Sequence, residues 1–372
     1  MDITPTFTDS VVKFDHQLDL DAYKKSVDML EAGKYAESLQ LFMQYVNATA
    51  AKKYKVDMLH WRIPHGSLIV DVQVTQQDYL LVTAPFLKLP ADPPGKRIAL
   101  MRQVCDLNFS ALTLSQIVLR GEELTFEFAT PMSLVDPFKL YAVLQEICLS
   151  GDSFDDEFIG KFGATPLREK EVKPLAQKTV DKAWELYHSY LDESMQYDEY
   201  FTQKRWKGFS YDILGIALMK IDHVIAPQGY LRTELEKSVQ HLFANKHPDD
   251  IVIDLREDFK KFKSFPREKF DSDLYEPNFF IHAKKDANLP TCQKNLQKRY
   301  EWAVQDRSGG SNVGVALNYL FATYRLLYNY YVPDKMKKEL LGVVKSTSRK
   351  PWKDAAEVMY VSFQKIMSPN YQ

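Results

Sequence analysis

The chain has 372 residues, 45% of them apolar and 13% aromatic, enough to fill more than one ordinary core and to form two domains. Its 48 basic and 50 acidic residues leave a net charge of −2, without the basic excess that a nucleic-acid partner demands. No stretch approaches the roughly 18 apolar residues of a membrane span, and Met1-Asp2-Ile3-Thr4-Pro5 lacks the features of a secretory leader, so no membrane partner is expected either.

In chain order, residues 19–49 read as a helical hairpin: Tyr23, Val27 and Leu30, then Tyr35, Leu39, Phe42 and Val46 recur at helical spacing, with Gly33 between them. Ala32 to Leu39 looks like a tetratricopeptide turn, but no second copy follows at that repeat length. The period then changes to two. Leu68, Val70, Val72 and Val74 alternate with Ile69, Asp71, Gln73 and Thr75, Tyr79–Ala84 forms a second β-rich run, and a shorter strand over Met58–Ile63 precedes both. Pro85, Pro90, Pro93, Pro94 and Gly95 predict a loop. A helix follows over 96–107 (Ile98, Met101, Val104, Cys105), then a strand over 114–119, a turn at Gly121-Glu122-Glu123, and a strand with Leu124, Phe126 and Phe128 on one face. Asp136 caps a long helix through Leu140, Val143, Leu144, Ile147 and Cys148, kinked at Gly151 and extended by Phe154, Phe158 and Phe162.

Residues 1–165 therefore read as an α+β domain, an antiparallel sheet packed with helices. Residues 166–173, with Pro166 and Arg168-Glu169-Lys170-Glu171, are the expected linker. Residues 174–372 read as an all-α domain, with helical runs near 175–197, 203–225, 229–245, 249–263, 290–304, 312–331, 334–346 and 351–367. A loop with Pro266 and Pro277 fills 264–289.

Chemistry-bearing patterns are sparse. The eight histidines show no metal spacing, and His60 and His65 read as structural. Asp152, Asp155, Asp156 and Glu157 fall on the polar side of their helix and read as solvated, as do Lys260, Lys261 and Lys263. Neither a serine-nucleophile elbow nor a cysteine beside a base is found, so no catalytic residue, metal or cofactor is assigned. Arg307 to Gly314 precedes a strong helix, where free N–H groups can hold a phosphate, but it lacks the P-loop spacing and a preceding strand. Cys105, Cys148 and Cys292 are far apart. Cys105 and Cys148 read as small core residues, and a reducing cytoplasm is the expected location. The triplets at Asn47 and Asn108 therefore carry no glycosylation meaning. Residues 184–211 are dense in Trp, Tyr and Phe, which reads as helix packing or as a peptide groove.

His60-Trp61-Arg62-Ile63-Pro64-His65-Gly66-Ser67 leading into Leu68–Thr75, then Ala84–Pro90, Leu107-Asn108 and Gly121–Phe126, resemble the bacterial type III secretion chaperone and YbjN-like superfamily over roughly residues 20–165. That resemblance implies a module that dimerises, here through the 96–107 helix, and holds an extended client segment at a sheet edge. The candidate peptide-binding side chains are Trp61, then Leu68, Val70 and Val72, then Leu80, Val82 and Phe86. The expected function is a chaperone-like or adaptor protein without enzymatic activity, with a protein or peptide client and a homodimer as partners. Two further readings stay open: a structural subunit of a larger bacterial assembly, and an enzyme with a phosphate-containing ligand near 307–314.

Overall fold

The computed structural model describes residues 2–12, 18–91, 94–168, 172–276, 280–281 and 284–371, without the side chains of Asp152 and Lys207. Pro93, Glu169, Lys170, Glu171 and Pro277, and the Asp152 carboxylate of the acidic cluster, lie outside this set. The chain divides into two units. The α+β unit comprises the described residues of Phe14–Lys173 and Glu276–Ala283, and the helical unit those of Met1–Lys13, Pro174–Tyr275 and Lys284–Gln372.

In the α+β unit, α1 (Leu20–Glu31) and α2 (Tyr35–Lys53) form the hairpin, turned at Gly33 with φ 71°. Ser26 and Ser38 fasten it by donating to each other's carbonyls at 2.7 Å. Asn47 leaves the helical conformation within α2, and its Oδ1 accepts from Ala50 N at 2.9 Å, so the helix is recapped and runs past its expected end.

The sheet follows as β1 (Lys55–Asp57), β2 (His60–His65), β3 (Leu68–Val74), β4 (Tyr79–Lys88), β5 (Gln116–Arg120) and β6 (Glu123–Pro131), in the order β1-β2-β3-β4-β6-β5. Every pairing is antiparallel. The two-residue β7 (Thr165–Pro166) joins the end of β4. β4 is longer than its sequence suggested because Pro85 does not stop it. The ladder to β6 shifts register between Pro85 and Leu87, and this bulge turns both Phe86 and Leu87 into the core. Asp136 caps α4 (Pro137–Phe162) by accepting from Phe138 N at 2.9 Å.

Gly151 proves to be a contact point within an unbroken α4. A Cβ built there would lie 2.1 Å from Leu68 Cδ1, so only glycine lets the helix approach the sheet this closely. Asp155, expected to be solvated, is buried on the same helix.

Helix α3 (Pro94–Ser110) corrects another expectation. Its buried stripe is Leu100, Val104 and Leu107, whereas Ile98, Cys105 and Phe109 face solvent, Phe109 at 92% exposure. Cys105 follows Val104 by about 100° around the helix, which takes it off the buried face. Phe280 and Ile281 are buried in the core of the α+β unit, and His65 Nδ1 accepts from Phe280 N at 3.2 Å.

The helical unit contains α5 (Gln177–Gln203), α6 (Lys207–Ile225), α7 (Gly229–Leu242), α8 (Pro248–Lys263), α9 (Arg267–Ser272), α10 (Leu289–Ser308), α11 (Asn312–Asn329), α12 (Asp334–Thr347) and α13 (Trp352–Met367). Eight of these match the helical runs read from sequence, and the six-residue α9 falls in the expected loop. Lys285–Asp286, in the expected loop, also pairs with Tyr330–Tyr331 in a two-residue ladder, within a domain read as having no strand. Residues 2–12 belong here rather than to the first domain. Thr6 donates to Glu193 Oε1 through both N and Oγ1 at 2.8 Å, and Lys220 donates to the Thr6 carbonyl. Burial lowers the Lys220 pKa to about 8.

Candidate functional site: a cleft in the helical unit

The side chains chosen as a peptide-binding surface are core. Trp61 on β2, Leu68, Val70 and Val72 on β3, and Leu80, Val82 and Phe86 on β4 are each at most 5% exposed. Period-two alternation showed correctly which face is apolar, but α2, α3 and α4 cover that face. Trp61 Nε1 donates to the Ala51 carbonyl on α2 at 3.0 Å, and Phe86 packs its ring 5.1 Å from Phe126 and 5.8 Å from Phe158. These residues leave no docking surface, which corrects the sequence reading.

The sheet edges are also poorly suited to an added strand. On β5, Ile117 is clamped by the Asn108 carboxamide: its N–H donates to Oδ1 at 2.7 Å and its carbonyl accepts from Nδ2 at 2.8 Å. Just before it, the Glu146 carboxylate accepts from the N–H groups of Thr113, Leu114 and Ser115. The opposite edge, β1, is three residues long, shifts register against β2, and carries Lys55 and Asp57. Short, bulged and charged edges resist strand addition.

The helical unit holds an open site instead. A cavity of about 640 Å³ lies among α6, the α7–α8 connection, α10 and α11, within the ordinary size of ligand sites. Helical spacing aligns Asn295, Arg299, Trp302 and Asp306 on one face of α10, and Asn318, Phe321 and Arg325 on one face of α11. Gly215 permits the close packing beneath: a Cβ there would lie 2.8 Å from Leu242 and 2.9 Å from Phe321.

The floor is a polar chain. Arg299 Nη1 donates to Asp212 Oδ1 at 2.7 Å and to Asn318 Oδ1 at 3.1 Å, and Asn318 Nδ2 donates to Asp306 Oδ2 at 2.9 Å. Burial raises the pKa of Asp212, opposed by the charge and hydrogen bond of Arg299. Burial also raises that of Asp306, opposed by the Asn318 hydrogen bond. Phe321 stacks 3.7 Å from the Arg299 guanidinium, and Trp302 lies 5.0 Å from it. Phe209, Tyr211 and Phe243 complete the aromatic wall.

At the rim, Lys298 sits 4.9 Å over Trp302, and Arg325 sits 4.8 Å over Phe243. Burial and then the charge of Arg299 lower the Arg325 pKa, but an arginine so shifted stays charged. The aromatic run 184–211 divides accordingly. Tyr187, Tyr190, Tyr197 and Phe201 are core, whereas Phe209 and Tyr211 line the cleft, and Trp206, 42% exposed, packs 5.8 Å from Phe209.

The segment 307–314 adjoins this cleft without forming an evident anion cradle. Ser311 Oγ accepts from Gly314 N at 3.2 Å, and the Asp306 carboxylate lies against Gly314, where a Cβ would be 2.4 Å from Oδ2. The first turn of α11 thus already has a protein carboxylate beside it, which suits the helix dipole. Arg307 pairs with Glu357 at 2.9 Å. Besides the aromatic run, the sequence signals for the cleft were Asn318 and Arg325 inside the largely apolar stretch Val315–Leu327, because polar groups set among buried apolar ones need partners.

No protein-family model matches this chain, and no curated protein matches it. Among the described residues, no helix is long and apolar enough to cross a membrane.

Proposed function

We propose that this is a binding protein that holds an extended segment of another polypeptide in the cleft of its helical unit, without turnover. The observation that carries this reading is the large aromatic side chains left open in the cleft wall, Phe243 at 41% and Trp302 at 39% exposure, with Arg325 over Phe243 and the exposed Trp206 packed beside Phe209. Exposed aromatics and arginine beside a concave site make up the typical energetic centre of a protein interface. The sequence resemblance of the α+β unit to secretion chaperones agrees with a polypeptide-binding role, and the widely spaced cysteines agree with a cytoplasmic setting. In this reading that unit is a scaffold, and client contact falls to the helical half.

A random peptide library displayed on phage and selected on the full chain tests the reading. Enriched sequences should bind at least about tenfold more weakly when Phe243→Ala and Trp302→Ala are combined, because rim aromatics carry the contact. Both positions are substantially exposed, so the fold should tolerate the change. If nothing is enriched, or enriched sequences bind the double variant equally well, the reading fails.

A further inference from the structure

Two other arginines in this molecule each meet a single carboxylate through the edge formed by Nε and Nη2. Arg120 offers those two atoms to Glu127 at 2.8 and 2.7 Å, and Arg256 offers them to Asp198, both at 2.8 Å. Arg299 departs from that pattern. Asp212 and Asn318 both take Nη1, and among the described residues nothing accepts from Nε or Nη2. Yet Arg299 is only 7% exposed and lines the cavity. Phe321 and Trp302 fix the plane of the guanidinium, and Asp212 anchors it. A planar two-donor edge, held rigid and largely stripped of water, matches the two oxygens of a carboxylate.

The surroundings point the same way. Arg325 brings a second positive charge close enough to oppose that of Arg299, and among the described residues no carboxylate pairs with it. Asp306 is engaged by Asn318, and Lys246 by Asp254 at 2.7 Å. Arg299 already has Asp212 as its carboxylate partner, so the charge left for an incoming anion to pair with, among the described residues, is that of Arg325.

We propose that the cleft recognises a carboxylate, held bidentate by Arg299 Nε and Nη2 with Arg325 as the second cation, on a segment whose adjacent aromatic side chain packs against Phe209 and Phe243. This rests on the polypeptide-binding reading above and names the group that the site selects. A lone aromatic acid carries the same chemistry, so the test separates the two sources.

The probes are acetyl-Ala-Phe-Glu-Ala-amide, its Gln counterpart, acetyl-phenylalanine as the free acid, and phenyl phosphate, each titrated at up to millimolar concentration into the full chain. The Glu peptide should bind at least about tenfold more tightly than the Gln peptide, since the amide leaves one donor unpaired. Arg299→Lys keeps a charge against Asp212 but removes the fork, and should abolish the preference. If that variant does not fold, the exposed Arg325→Gln decides, and the preference should fall by about threefold.

Equal binding of the Glu and Gln peptides, both lost with Trp302→Ala, would overturn the carboxylate assignment and leave the polypeptide cleft standing. Binding of the free acid alone, with the same dependence on Arg299, would keep the carboxylate and remove the polypeptide. Tighter binding of phenyl phosphate than of every acid, or binding of no probe, would overturn the assignment.

Discussion

The inner face of the sheet and the wall of the helical cleft are built from the same kinds of side chain, and they end in opposite states. In the α+β unit, three helices close over Val70, Val72 and Phe126, and no solvent reaches them. In the helical unit, Phe243 and Trp302 stay partly open beside a cavity, and a buried arginine keeps part of its donor edge unused. Apolar character says that a face resists water. Whether it becomes core or contact depends on whether another layer of the same chain reaches it, and a buried polar group with spare valence marks the second case.

Exchanging the chemistry of the two faces gives the largest expected effect. Val72→Asp places a charge where exposure is zero, and should cost about 4 kcal/mol or more and unfold the α+β unit. Trp302→Ala should cost under about 1 kcal/mol, as surface substitutions do. Urea melts of the two variants, followed by circular dichroism, would erase the contrast if the losses were similar.

A smaller effect tests how tightly the closed face is packed. Gly151→Ala improves helix propensity, but forces a methyl group into Leu68, and should still destabilise by about 2 kcal/mol. Leu68→Ala in the same chain should recover part of the loss. Additive losses in the double variant would show that α4 and β3 do not meet as described.

The smallest effect concerns acid and the helical unit. Burial, aided by the charges of Lys284 and Lys337, lowers the His223 pKa from 6.5 to about 3. The folded state therefore keeps His223 neutral while the unfolded chain takes up a proton below pH 6.5. Its contribution is fully present above that value and is lost as pH falls towards 3, by about 1 kcal/mol per pH unit. His223→Asn should flatten this slope in melts between pH 6.5 and 5, and an unchanged slope would assign the acid sensitivity elsewhere.

The local elements were legible because each has a short-range cause. Alternation over Leu68–Val74 marks a strand, Gly33 ends a helix, and Asp136 starts one. The candidate site was not legible on the same terms. Asp212 and Arg299 are 87 positions apart, and nothing in either neighbourhood names the other. Helix α3 carries two apolar stripes, and the pattern could not say which one the sheet would take. Phe280 and Ile281, in a stretch without periodicity, could not be assigned to a core so distant in sequence.

Sequence alone determined the class of this protein, an α+β unit and a helical unit, because hydrogen-bond geometry and side-chain period act over a few residues. Tertiary packing alone decided that Trp61, Leu68 and Val72 are covered while Trp302 and Phe243 stand open, and that Arg299 is held by a single nitrogen. Coverage and valence depend on which distant surface arrives, and that is settled by the packing of whole layers rather than by any local run of residues.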